Sequence, residues 1–144
     1  MKNVKWCLLV FAVLAVSLVS GCEQKKERDD MSLVLPLNLS AEGSMNLQGP
    51  ILQNVFAYAA WVKANSVSGL VIEGYAGYMN ESDKKAERAD ICAGMMRSLF
   101  VTQGIAENRI KIVIPDTESN NETARAALES GDYNCVVVVR VDDE

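Results

Sequence analysis

Between Gly69 and Ile114 the sequence reads GLVIEGYAGYMNESDKKAERADICAGMMRSLFVTQGIAENRIKIVI. Leu70–Ile72 is a short apolar run centred in a strand predicted over Val67–Gly74. Gly74-Tyr75-Ala76-Gly77-Tyr78 closes that strand with two glycines where the backbone turns tightly. The polar residues Asn80 to Asp83 supply a helix cap, and the helix runs on to Gln103. Its apolar stripe is Ile91, Met95, Met96, Leu99 and Phe100, and Gly104 stops it. Its first half carries Lys84, Lys85, Glu87, Arg88 and Asp90, a solvated face. Ile110, Ile112 and Ile114 then alternate in a strand over Arg109–Ile114, ended by Pro115. A strand, a long amphipathic helix and a second strand can bury their apolar sides together only as a sheet with helices laid on it.

The flanking segments extend this unit. Leu33, Leu35, Leu37 and Leu39 alternate with Val34, Pro36 and Asn38, a period of two that marks a half-buried strand. Pro36 has no N–H to give to a ladder, which places that strand at an edge. Pro50 suits the first turn of a helix over residues 50–65. Ile51, Leu52, Val55, Phe56, Ala59 and Val62 form its apolar face, with Tyr58 and Trp61 expected to flank it. Asp116 to Glu122 is a polar loop, in which Asp116, Glu118 and Glu122 suggest solvated acids rather than a cation site. A short helix over Thr123–Leu128 is halted by Gly131. Val136 to Val141 is a β-branched run interrupted only by Arg140, expected to be a central strand covered on at least one face. The order is β-α-β-α-β-(α)-β, a single sheet of the α+β class with helices packed on it.

The N-terminus sets the compartment. Lys2 and Lys5, an apolar run from Trp6 to Val19 and the small residues Ser20-Gly21 before Cys22 have the layout of a secretory signal. The run is shorter than the ~20 residues a membrane-spanning helix needs. Leu18-Val19-Ser20-Gly21-Cys22 resembles the bacterial lipobox, which implies removal of residues 1–21 and acylation (palmitate among the acyl groups) of Cys22. Glu23 follows rather than aspartate, which favours the periplasmic face of the outer membrane. Residues 22–32 are mostly charged, without aromatic or β-branched side chains, and form a flexible linker. Such a leash has an r.m.s. span of roughly 17–20 Å, so a domain over 33–144 would sit close to its membrane. The processed chain loses two of 14 basic residues and none of 19 acidic ones, leaving a net charge of −7. That balance argues against nucleic acid and an anionic lipid face as partners.

The element order, the Gly74-Tyr75-Ala76-Gly77 stretch after the second strand and the Gly104-Ile105 junction before RIKIVI resemble the OmpA-like (OmpA C-terminal, MotB-like) peptidoglycan-associated domain over about Leu33 to Val141. The resemblance implies a two-layer α+β sandwich with one mixed sheet. It also implies a binding site: an aspartate ending a G-[HY]-T-D signature and an arginine fifteen positions on, which together clasp diaminopimelate of the cell wall. Without gaps that aspartate falls on Gly77 and that arginine on Cys92. Shifting by one helical turn recovers Arg88-Ala89 as the arginine–alanine pair, but Gly77 still supplies no carboxylate. The family's N-R-R-V falls around Tyr133-Asn134-Cys135-Val136, again without arginine. Charge-assisted hydrogen bonds contribute ~1.5–3 kcal/mol each. Losing both costs ~3–6 kcal/mol, roughly 10²–10⁴ in affinity. The resemblance therefore implies the fold with a degenerate pocket and a weakened hold on peptidoglycan.

Cys92 and Cys135 fall where the family has arginines near the pocket, and the resemblance together with an oxidising compartment leaves two possibilities. They form a disulfide stapling the long helix to the last strand, or they are two buried free thiols. The sequence has no histidine, which removes His-dependent triads and the common zinc sites, and no nucleotide or nucleophile-elbow motif. No enzyme, metal or cofactor is expected. Two functions stand: a structural link from the outer membrane to the cell wall or an envelope complex, and a scaffold subunit of an envelope-spanning secretion or conjugation machine that does not bind peptidoglycan.

Overall fold

The computed structural model describes residues 31–77, 82–115 and 121–142. The proposed leader, Cys22, all but the end of the linker, and residues 78–81, 116–120 and 143–144 lie outside the described residues. Four strands, β1 (Leu33–Leu37), β2 (Gly69–Ala76), β3 (Ile110–Val113) and β4 (Cys135–Asp142), form one sheet in the order β1-β4-β2-β3. Strand β4 pairs antiparallel with both neighbours, while β2 and β3 run parallel. The sheet is mixed and the class is α+β. Strand β1 is an edge strand, as its proline requires, with Pro36 opposite Val136.

Helices α1 (Gly49–Ala64) and α2 (Ser82–Thr102) cover one face. The third, α3 (Glu122–Glu129), packs on the other face. This explains the unbroken valines of β4. Val137 and Val139 point into the main core, while Val136 and Val138 meet Tyr75 and Ala124 on the far side, so both faces of the strand are buried. Helix α3 starts where the Asn121 side chain accepts the Ala124 N–H at 3.0 Å, satisfying one of the donors left open in the first turn. Helix α2 ends at Gly104, whose φ of +91° favours glycine.

Three local expectations need correction. The stretch from Gly74 to Ala76 is not a turn but the last three residues of β2, and Gly74 is a point of close approach between strand and helix. On α1 the buried arc is Val55, Tyr58, Ala59 and Val62, so Tyr58 lies in the core while Phe56 faces outward with 43% of its surface exposed. On α2 the buried arc is Ala89, Cys92, Ala93, Met96 and Phe100, and Ile91 is exposed. Small residues dominate this arc because they let the helix lie close to the sheet.

Tyr58 packs its ring 6.1 Å from that of Phe100 in an edge-on contact. Burial pushes its hydroxyl pKa from 10 up to about 12. The folded chain therefore keeps this proton at pH values where the unfolded chain has released it. The resulting contribution, roughly 2–3 kcal/mol, is complete below pH 10 and is lost as the pH rises to about 12. In a spectrophotometric titration, one of the four tyrosines should ionise near pH 12, together with alkaline unfolding. Release of the Tyr58 proton near pH 10 in folded protein would contradict this.

Candidate functional site

The two positions assigned to a ligand clasp sit at one end of the sheet, where β2 finishes and β4 begins. Gly77 directly follows β2 and donates its N–H to the Asn134 carbonyl at 2.9 Å. Cys92 projects from α2 into the core, fully buried, and is disulfide-bonded to Cys135, the first residue of β4, with 6.8 Å between Cα atoms. Ala76 stands opposite Cys135 in the β2–β4 ladder. Gly77 and Cys92 thus converge on the adjacent pair Asn134-Cys135, but neither brings a charge. No charged side chain is buried anywhere among the described residues.

Asn134 closes this end of the sheet. Its Oδ1 accepts the Leu39 N–H at 2.8 Å and its Nδ2 donates to the Leu39 carbonyl at 2.7 Å, as a neighbouring strand would. Its own N–H faces the Leu37 carbonyl and the Asn38 Oδ1, each at 3.2 Å. Asn38 Nδ2 in turn donates to the Asp132 carbonyl at 3.0 Å. One amide therefore fixes the exit of β1, the end of β2 and the start of β4. Asn134 is half-buried, and polar groups withdrawn from water persist when donors and acceptors are matched in this way. What stands at the expected pocket is a packed and hydrogen-bonded junction, locked from below by the disulfide.

Acid–base pairs occur instead on the sheet face away from α1 and α2, at positions the sequence did not single out. Glu73 Oε1 accepts from Arg140 Nε at 2.9 Å, and the Tyr75 hydroxyl donates to Glu73 Oε2 at 2.7 Å. Lys111 pairs with Asp142 at 2.8 Å. The second pair lines an open cleft of about 200 Å³ with Ser68, Gly69, Asn108 and Arg109. This cleft lies at the start of β2 and β3, the opposite end from Gly77. Arg109 spends its guanidinium on the Ser68 carbonyl at 2.9 Å and on the Val67 carbonyl. These partly exposed pairs hold each other, and each contributes ~0–1 kcal/mol. Val71 lies between Arg140 and Lys111 on the neighbouring strands and is buried at 4% exposure. Alternation along the strands places these charges on one face, but only the sheet order brings them together. No cluster of side chains suited to a metal ion occurs among the described residues.

No family model and no curated protein matches this sequence. Solved structures do. The OmpA-like domain of FopA1 from Francisella tularensis subsp. tularensis SCHU S4 superposes with a TM-score of 0.55 at 13% identity, covering 79% of this chain and 77% of that one. The peptidoglycan-associated lipoprotein from Burkholderia pseudomallei gives 0.54 at 13% identity, covering 74% and 89%. The periplasmic domain of Helicobacter pylori MotB gives 0.51 at 14% identity, covering 78% and 76%. At such identities the likeness is one of fold, and the fold is OmpA-like.

Proposed function

We propose that this chain puts its OmpA-like fold to structural use in the bacterial envelope, held at the outer membrane by acyl groups on Cys22 and bracing that membrane against the wall or an envelope complex. Several structures of the same fold come from envelope proteins, one of them named as a peptidoglycan-associated lipoprotein. The single observation that carries the reading is the junction at Gly77, Cys92 and Asn134. Where the family resemblance puts a charged clasp, this chain has a glycine, a buried disulfide and an amide bonded through both its oxygen and its nitrogen to Leu39. The hold on diaminopimelate by an aspartate–arginine pair is absent, so the domain works through other contacts. The scaffold-subunit reading draws on the same loss and on the short leash of residues 22–32.

One experiment tests both halves. Cells expressing the full chain are fed labelled palmitate, their envelopes are dissolved in mild detergent, and intact sacculi are pelleted. The label should sit on the chain and disappear in Cys22→Ser, and the chain should stay in the supernatant. Absence of label on the unaltered chain overturns the anchor. Retention on sacculi with micromolar affinity supports contact with the wall, and no retention with a co-purifying envelope protein supports the envelope-complex reading.

A further inference from the structure

The folded core leaves no room to make the bond that it encloses. Both sulfurs of the Cys92–Cys135 disulfide are fully buried. About one turn earlier on α2, the helix backbone lies so near β2 that a Cβ at Gly74 would stand 2.4 Å from the Ala89 carbonyl oxygen. A protein disulfide forms when a thiolate attacks a sulfur of an existing disulfide, so the oxidant must touch the thiol it oxidises. That contact is closed once α2 lies on the sheet. The two cysteines stand 43 positions apart, one on a helix and one on a strand, so no local structure pairs them beforehand. Their partners are chosen before the core closes, where chain statistics decide.

A third thiol competes there. The sequence has four cysteines, and cleavage before Cys22 removes Cys7, leaving Cys22, Cys92 and Cys135. An odd cysteine in a secreted chain is a reactive thiol in search of a partner. The probability of closing a loop falls roughly as the −3/2 power of its length. Cys22 lies about 70 positions before Cys92 and about 110 before Cys135, so it reaches them only about two- and fourfold less often than they reach each other. On a chain with three free thiols, about 40% of the bonds made would include Cys22. Each of those ties Cys92 or Cys135 to the charged linker, whereas the folded core buries both sulfurs entirely.

We infer a fixed order of covalent steps: a lipid closes the Cys22 thiol first, a disulfide-bearing oxidant then joins Cys92 to Cys135, and α2 docks last. The order rests on the lipid anchor proposed above. In the first step the Cys22 thiolate attacks a glyceryl carbon of a phospholipid and expels the phosphate-bearing headgroup, which takes up the thiol proton. The product is a thioether, which thiol–disulfide exchange does not open. In the second step one remaining thiolate attacks the oxidant's disulfide and expels one of its sulfurs. The other thiolate then attacks the chain's sulfur in that mixed disulfide, closing the bond and releasing the oxidant's second sulfur. Two electrons pass from the chain to the oxidant, whose sulfurs leave as thiols carrying the two protons. The lipid thus does more than hold the chain at a membrane. It leaves one possible pairing where three existed.

The test follows newly made full-length chain in cells, with free thiols blocked by a maleimide and disulfides assigned by mass spectrometry of unreduced peptides. The unaltered chain should carry lipid on the Cys22 sulfur and the Cys92–Cys135 bond alone. With a leader cleaved before residue 22 but without lipid attachment, Cys22 should enter about 40% of the early disulfides. Adding Cys22→Ser to that chain should restore the Cys92–Cys135 bond alone. Native pairing throughout in the unlipidated chain that keeps Cys22 would overturn the order and leave the anchor standing. An unaltered chain whose Cys22 sulfur bears no lipid would overturn both. The last step is checked on purified Cys22→Ser chain, reduced and returned to native buffer. Oxidised glutathione should close its bond roughly tenfold more slowly than in denaturant, at the rate at which the core opens, and a reduced chain that stays unfolded supports the same order. Equal rates in a chain that circular dichroism shows to be folded would place docking before oxidation and overturn it.

Discussion

Replacing Cys92 and Cys135 together by alanine should lower the stability of the fold by about 4 kcal/mol, the largest loss expected from any pair of substitutions outside the aliphatic core. The bond joins residues 43 apart, and closing a loop of that size removes chain entropy from the unfolded state equivalent to ~4 kcal/mol. Domains of this size have only ~5–15 kcal/mol in total. The melting temperature should fall by roughly 15 °C, given about 2.1 cal/mol/K of unfolding entropy per residue. Guanidinium unfolding of the unaltered chain with and without reductant checks the same quantity without mutation. Both sulfurs are fully buried, so reduction of folded protein should be slow and should track opening of the core. A midpoint unmoved by reductant, after thiol counting shows that both cysteines are free, would mean that the staple contributes nothing. The double substitution is the proper comparison, since a single one leaves a buried thiol beside a new cavity.

Much of the architecture was legible because it rests on local patterns. Alternating leucines in a strand bearing a proline gave an edge, and four consecutive valines, Val136 to Val139, gave a centre. Gly104 and Gly131 mark helix ends through a backbone conformation that favours glycine. The faces of α1 and α2 were less legible. Apolar residues occupy Ile51, Leu52, Val55, Phe56, Tyr58, Ala59, Trp61 and Val62, almost all the way round the helix. Periodicity then cannot decide whether Phe56 or Tyr58 points inward. On α2 the residues against the sheet are largely small, so they contribute little to a hydropathy stripe even though they set the packing distance. The pocket end was legible only through a family resemblance, which located Gly77 and Cys92 but could not show what replaces the clasp. Asn134 bridges to residues 95 and 96 positions away, and no sequence pattern encodes such a link. The charges of Glu73, Arg140, Lys111 and Asp142 were hidden for the same reason, because they become neighbours only once β4 inserts between β1 and β2.

Gly74→Ala should cost at least 3 kcal/mol, although it adds one methyl group to a strand where alanine is otherwise the better residue. An ideal Cβ at Gly74 would lie 2.4 Å from the Ala89 carbonyl oxygen, 3.0 Å from its carbon and 2.9 Å from Ile114 Cδ1. Ile114 can rotate away. The Ala89 carbonyl belongs to the backbone of α2, so relief requires the whole helix to lift from the sheet, and overpacking that a core cannot absorb falls in the upper range of measured losses. One turn further on, Cys135 holds α2 down through Cys92. The two constraints oppose each other and should not be additive. In the Cys92→Ala, Cys135→Ala background the helix is free to shift, and Gly74→Ala should cost less there by about 1 kcal/mol or more. A four-corner cycle by guanidinium unfolding, run in a stabilising osmolyte so that every variant folds, reads this coupling directly. Gly77→Ala is the control: its Cβ would come no nearer than 3.4 Å to the Asn134 carbonyl, and the loss should stay under ~1 kcal/mol. Equal costs at Gly74 and Gly77 would mean that the glycines serve a turn after all. Additive energies across the cycle would mean that α2 is not pressed against the sheet by its disulfide.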